Sequence, residues 1–161
     1  MVKIESVVFD FGNTLYNPNT SSLFPYVPET LQTLLDEGLN LGLVTIAMTN
    51  DIERRERQLN ELNLSQFFMA IEIVELRIGT KDFKSMLMCL NSEAQATVVV
   101  GDSIEHDIAP AHSLGARTIL TLQGSSAPIQ PTNQISLPDW VVYRIDEVPG
   151  IIRDLSTSEN K

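Results

Sequence analysis

The residues best suited to chemistry stand where short runs of apolar, β-branched residues stop. Asp10 closes the first run, in Val7-Val8-Phe9-Asp10-Phe11-Gly12-Asn13-Thr14-Leu15, and Thr45 closes a second, in Leu43-Val44-Thr45. A later run leads into Gly101-Asp102-Ser103-Ile104-Glu105-His106-Asp107-Ile108, which puts two carboxylates in and just after a tight turn at a helix start. Ahead of that run, Gly79-Thr80-Lys81-Asp82-Phe83 opens another helix with a cation. If the runs are neighbouring strands, an acidic pair or trio, a hydroxyl and an ammonium meet at one sheet edge. Carboxylates delivered by separate strands repel one another unless a cation sits between them. An oxygen-only donor set with few protein ligands suits Mg²⁺, which keeps waters and accepts phosphate oxygens. The hydroxyl and the ammonium can hold the oxygens of a phosphoryl group, and a metal-bound carboxylate can attack its phosphorus.

The elements that must position these groups follow from hydrophobic periodicity. Strands are predicted over Ser6–Phe9, Leu41–Thr45, Met69–Val74, Thr97–Val100, Arg117–Leu120 and Trp140–Val142. Between them lie five helical stretches. The first runs from Pro28 to a stop at Gly38 with Leu31, Leu34 and Leu35 as its stripe. The second is capped by Asn50 or Thr49 and carries Ile52, Leu59 and Leu62, with the charges from Glu53 to Glu61 as a solvated face. The others cover Asp82–Leu90, His106–Leu114 ending at Gly115, and Glu147–Leu155. Met and Phe residues in these stripes, and Cys89, read as core. Gln123–Asp139 reads as a loop. Strands alternating with helices imply a three-layer α/β/α sandwich with a mostly parallel, Rossmann-like sheet, whose ligands bind beyond the carboxyl ends of the strands.

Composition bounds the rest. At 161 residues and 43% apolar content the chain suits one domain with one sizeable core. Eleven Lys and Arg against 21 Asp and Glu leave a net charge of −10, which repels phosphate backbones and anionic lipid, so neither nucleic acid nor a membrane is an expected partner. The run Leu41–Met48 is too short to cross a bilayer, one cysteine cannot form an internal disulfide, and the N-terminus has no secretory pattern. A cytoplasmic location is expected.

Taken in order, Asp10-x-Gly-x-Thr14, Thr45, Lys81 and Gly-Asp102-x4-Asp107 resemble the four motifs of the haloacid dehalogenase-like hydrolase superfamily. Leu59–Phe68, Pro110–Thr121 and Pro138–Leu155 also resemble its connecting helices and last strand, so the likeness covers nearly the whole chain. It implies Asp10 as the nucleophile that forms an aspartyl-phosphate, Thr45 as a phosphoryl-binding hydroxyl and Lys81 as the neutralising cation. It implies Mg²⁺ held by Asp10, Asp102 and the carbonyl of Gly12, with Asp107 ligating through water or orienting Lys81, and Thr14 in support. The domain organisation it implies is a single core over residues 1–155, without a sizeable cap, and a flexible tail over 156–161.

Two positions depart from the pattern. Phosphatases of this superfamily carry a second Asp two residues after the nucleophile, as acid for the leaving group and base for water, and here that position is Gly12. Loss of a positioned acid/base costs about 10²- to 10⁴-fold in rate, which suits a substrate with a good leaving group such as an acyl phosphate. His106 and Glu105 are nearby titratable groups, though neither matches the family's acid position. Counting back from Phe83 by the commonest family spacing puts Arg77 at the third motif, whereas a shorter connection makes it Lys81, which begins its helix. About thirty residues separate Thr14 from Thr45, too few for a cap, so the expected site is open and is covered by a bulky phosphorylated substrate or a neighbouring subunit. Three readings follow: a Mg²⁺-dependent hydrolase of phosphate esters or anhydrides, a catalytically impaired phosphate-binding or protein-interaction module of the same fold, and an unrelated doubly wound domain with acidic turns.

Overall fold

A computed structural model of the chain describes residues 3–76, 81–124, 133–134 and 136–157. Among the described residues eight strands form, β1 (Ser6–Phe9), β2 (Tyr16–Asn17), β3 (Ser22–Leu23), β4 (Asn40–Ala47), β5 (Ala70–Glu75), β6 (Thr97–Gly101), β7 (Arg117–Thr121) and β8 (Trp140–Val142). The helices are α1 (Val27–Asp36), α2 (Ile52–Glu61), α3 (Phe83–Leu90), α4 (Ala109–Ser113) and α5 (Val148–Thr157). Six strands make one sheet in the order β5-β4-β1-β6-β7-β8, and every pairing in it is parallel. β2 and β3 form a separate antiparallel hairpin in the connection from β1 to α1.

The central strands are buried on both faces, which is why they read as unbroken apolar runs. Their side chains nevertheless divide by parity. Val7, Phe9, Leu41, Leu43, Val98 and Val100 join one core cluster with Leu31 and Leu34 of α1, Leu59 of α2 and Ile152 of α5. Val8, Val44 and Val99 join a second cluster with Phe83, Met86 and Leu90 of α3 and Ala111 of α4. Helices on both faces of a parallel sheet give the expected three-layer sandwich. Gly42 lets α3 close on β4, since a Cβ there would lie 2.6 Å from the Met86 sulfur.

Local chemistry explains most element ends. Pro28 sits in the first turn of α1, and Gly38 at φ 83° ends it. The Asp82 carboxylate accepts hydrogen bonds from the backbone N–H of Lys84 and Ser85 and caps α3, so the chain is pinned one residue after Lys81. Ser103 caps the next helical segment through the His106 N–H.

Several expectations need correction. α2 is preceded by a 3₁₀ turn over Thr49–Asp51, and neither Thr49 nor Asn50 caps it. The segment expected as one helix from His106 starts as a π-helical turn over Ile104–Ile108 before α4. Pro110 has no N–H to offer the carbonyl four residues back, and the wider turn accommodates that loss. Cys89 is exposed, because it lies about 90° around α3 from the centre of the Phe83, Met86 and Leu90 stripe. Met88 is exposed as well. α5 continues through Thr157, two residues into the expected tail. Residues 158–161, most of the expected loop after Gly124, and the alternative cation Arg77 lie outside the described residues.

Candidate active site

The site forms where β1, β4 and β6 end side by side. The Asp10 N–H donates to the Val100 carbonyl at 2.9 Å, which ties the residue after β1 to β6. Backbone hydrogen bonds from Thr14, Leu15 and Tyr16 back to the Phe11 carbonyl fold the next residues into a tight turn, with Asn13 at φ 59°. That turn brings Thr14 beneath Asp10, and its hydroxyl donates to Asp10 Oδ2 at 3.0 Å. Gln123, after β7, donates through Nε2 to the Thr14 carbonyl at 2.5 Å and braces the turn from the other side.

Lys81 reaches the same point from the start of α3. Its Nζ donates to Asp10 Oδ1 at 2.6 Å and to Asp107 Oδ1 at 2.5 Å, and all three residues are buried. Asp107 Oδ2 accepts from the Ser103 N–H at 3.1 Å, so both of its oxygens are engaged by protein donors. Gly101 is required for this packing, because a Cβ there would lie 2.3 Å from the Asp107 carboxyl carbon. Asp102, one residue on, completes a trio in which Asp10, Asp102 and Asp107 can each offer an oxygen within 4.8 Å of the others.

These groups line an open cleft of about 270 Å³ together with Gly12 and Thr45. Asp10, Gly12, Thr45, Lys81, Asp102 and Asp107 therefore converge here, with Thr14 lying behind Asp10. A hollow of about 510 Å³ at the opposite strand ends, lined by Lys3, Glu5 and Asn40, holds no comparable trio among the described residues. Residues 16–26 do not line the cleft, although Tyr16 stacks on Phe11 with ring centroids 5.1 Å apart. His106 lines it and its Nδ1 is buried without a hydrogen-bond partner among the described residues, whereas Glu105 is exposed.

One cleft residue escaped the sequence reading. Arg55 of α2 is partly buried, its Nη1 donates to Thr45 Oγ1 at 2.5 Å, and its guanidinium carbon lies 4.8 Å from the centre of the Phe11 ring. The charged stretch from Glu53 to Glu61 is thus not wholly a solvated face. The signal was present, since Ile52, Arg55 and Leu59 follow the spacing of one helix side.

The electrostatics describe a site built around a cation. Burial, and then the Asp10 charge, push the Asp102 carboxyl up to about 8. The same two causes push Asp107 up to about 7, against the opposing pull of Lys81. Burial works against the Lys81 ammonium, but Asp10 and Asp107 outweigh it and hold its pKa above the ordinary lysine value. Three converging carboxylates with a single committed ammonium are therefore short of positive charge. An oxygen-only cluster of this kind can coordinate a divalent metal.

Residues 3–121 match the family model described as haloacid dehalogenase-like hydrolase. The chain belongs to that family. Among relatives of this haloacid dehalogenase-like protein, a glyceraldehyde 3-phosphate phosphatase of Methanocaldococcus jannaschii is 31% identical over 149 residues, covering 88% of this chain and 62% of the relative. A pyrophosphatase of Oceanobacillus iheyensis is 23% identical, over 88% of this chain and 65% of its own. The chain thus spans somewhat under two thirds of the length of these curated relatives. Among solved structures, an uncharacterized protein from Listeria monocytogenes superposes with a TM-score of 0.79 at 24% identity, covering 94% of this chain and 98% of its own. That likeness is one of fold.

Proposed function

We propose that this haloacid dehalogenase-like chain is a Mg²⁺-dependent hydrolase that cleaves a phosphate ester or anhydride through an aspartyl-phosphate on Asp10. The observation that carries the reading is the meeting of Asp10, Lys81, Asp102 and Asp107 in one cleft, with both Asp10 oxygens hydrogen-bonded and the carboxylate thereby held in one orientation. The phosphatase activities named for its relatives support the same class of substrate.

In this mechanism Asp10 attacks phosphorus, the bond from phosphorus to the leaving oxygen breaks, and that oxygen departs with the electron pair. Thr45 and Lys81 hold the non-bridging oxygens, and Lys81 neutralises charge that grows in the transition state. Water then attacks the phosphorus of the aspartyl-phosphate, which releases inorganic phosphate and restores Asp10. The Asp10 and Asp102 carboxylates and the Gly12 carbonyl would hold Mg²⁺. When bound, the metal polarises the phosphoryl group and offsets the carboxylate charge. Asp107 has both oxygens on Lys81 and Ser103, which suits it to orienting the lysine.

Gly12 sets the substrate preference in this reading. With no acid at that position the leaving group departs unprotonated, so an acyl phosphate or another weakly basic leaving group is favoured. The connection from β1 to α1 holds only the β2–β3 hairpin among its elements, which supports a core over residues 1–155 with no cap above the cleft. An open cleft of this kind is covered by its own substrate or by a neighbouring subunit. Gly12 also favours a second reading, in which the chain binds phosphate without turnover.

Hydrolysis of acetyl phosphate and p-nitrophenyl phosphate, with and without Mg²⁺, decides between them. The expected result is metal-dependent turnover that Asp10→Asn abolishes. Turnover retained in Asp10→Asn overturns the nucleophile, and Mg²⁺ binding without any turnover favours the binding module.

A further inference from the structure

The cleft holds two cations with different commitments. Lys81 is bound by two carboxylates, Asp10 at 2.6 Å and Asp107 at 2.5 Å. Arg55 forms an ion pair with no carboxylate among the described residues, and its hydrogen-bond partner is the neutral Thr45 hydroxyl. The Phe11 ring covers one face of the guanidinium. A guanidinium has five N–H donors around its edge, and stacking on a face leaves that edge free. The planar edge matches a carboxylate or a phosphate by paired hydrogen bonds. Partial burial strengthens such a pair relative to one in water and makes an unmatched charge costly. Asp10 and Asp51 attract this half-buried cation from a distance, but neither forms an ion pair with it, so its edge is left for an anion from outside.

The geometry points to Arg55 as a specificity-determining residue that binds a second anionic group of the substrate, a carboxylate or a further phosphate, beside the phosphoryl group that is transferred. The inference rests on the phosphate-cleaving reading and narrows its substrate to doubly anionic molecules. Lys81 cannot serve this purpose, because it is held by Asp10 and Asp107 at the point of attack and, in the proposed reaction, is committed to the phosphoryl group that is transferred. Arg55 stands instead on the α2 side of the cleft, where Thr45 and Phe11 hold its guanidinium.

A matched pair of probes isolates the second charge. 3-Phosphoglycerate and glycerol 3-phosphate share a carbon skeleton and a phosphate ester, and differ by a carboxylate in place of a hydroxymethyl group. The native protein with Mg²⁺ is expected to prefer 3-phosphoglycerate by about 10- to 100-fold in kcat/KM, the range set by a charge-assisted hydrogen bond. Arg55→Gln should bring that ratio close to one, and Arg55→Lys should keep part of it. Calorimetric binding of both probes to the native protein and the variants separates this inference from the hydrolase reading. Preferential binding of 3-phosphoglycerate that Arg55→Gln removes supports the second-anion role even without turnover of these alkyl phosphates, whose leaving groups Gly12 disfavours, while acetyl phosphate turnover decides the hydrolase reading separately. A native protein that does not discriminate between the probes overturns the role of Arg55. So does a folded Arg55→Gln that still discriminates, or that loses both probes equally.

Discussion

In the proposed reaction, Gly12 is the residue on which the leaving-group chemistry turns. A Cβ at this position would meet nothing within 4 Å, so a side chain can leave the backbone there without displacing its neighbours. If a missing acid limits an otherwise assembled site, Gly12→Asp should raise kcat on an alkyl phosphate by about 10²- to 10⁴-fold. The gain should be smaller on p-nitrophenyl phosphate, whose leaving group needs less help from a proton. Steady-state rates on the two substrates check this, and an unchanged rate on both would show that protonation of the leaving group is not what restrains turnover. In the proposed reaction Arg55 complements Gly12: position 12 offers no acid for the leaving oxygen, and the cleft carries a cation suited to a charged part of the substrate.

Among the elements, the junction of β6 with the π-helical turn carries the greatest constraint. Asp107 folds back over Gly101 so closely that any side chain there collides with its carboxyl carbon, 2.3 Å from a would-be Cβ. The displaced carboxylate is one of the two that hold Lys81. Gly101→Ala should therefore destabilise the fold by about 1–3 kcal/mol, the cost of overpacking a core, measured by urea denaturation. It should also weaken Mg²⁺ binding, through the movement of Asp102 next door. A stability within experimental error of native would mean that the turn opens freely and that the close approach is not required.

For the whole molecule, the carboxylate trio links stability to pH and to metal. Burial, followed by the Asp10 charge, raises Asp102 from an ordinary 3.8 to about 8, and raises Asp107 to about 7. The folded state thus binds protons more tightly than the unfolded chain at these groups. Their contribution to stability is fully present below a pH of about 4 and is lost as pH rises towards about 8. In the absence of divalent metal the thermal midpoint should fall over that window. Mg²⁺ competes with the same protons, so the rise in Tm on adding it should be larger near pH 8 than near pH 6. Thermal denaturation in chelator and in Mg²⁺ at both values tests this, and an equal increment at both would dissociate the metal from these carboxylates.

The sequence by itself determined the six sheet strands and the residues near their ends, because unbroken apolar runs and β-branched composition are local properties. Asp10, Thr45 and Asp102 could be placed at one edge on that ground alone, since parallel strands present their carboxyl ends together. What the tertiary structure decided is non-local. The β2–β3 hairpin has strands of two residues, too short to produce a period. Cys89 and Arg55 both had their surroundings misread, and the side of the helix that faces the protein settled each. The partnership of Lys81 with Asp10 and Asp107 spans 71 and 26 residues of chain and depends on α3 and the π-helical turn meeting above β1. Residue types and spacing announce which groups are capable of chemistry, whereas packing between distant segments decides which of them have their charge already balanced and which are left to meet a ligand.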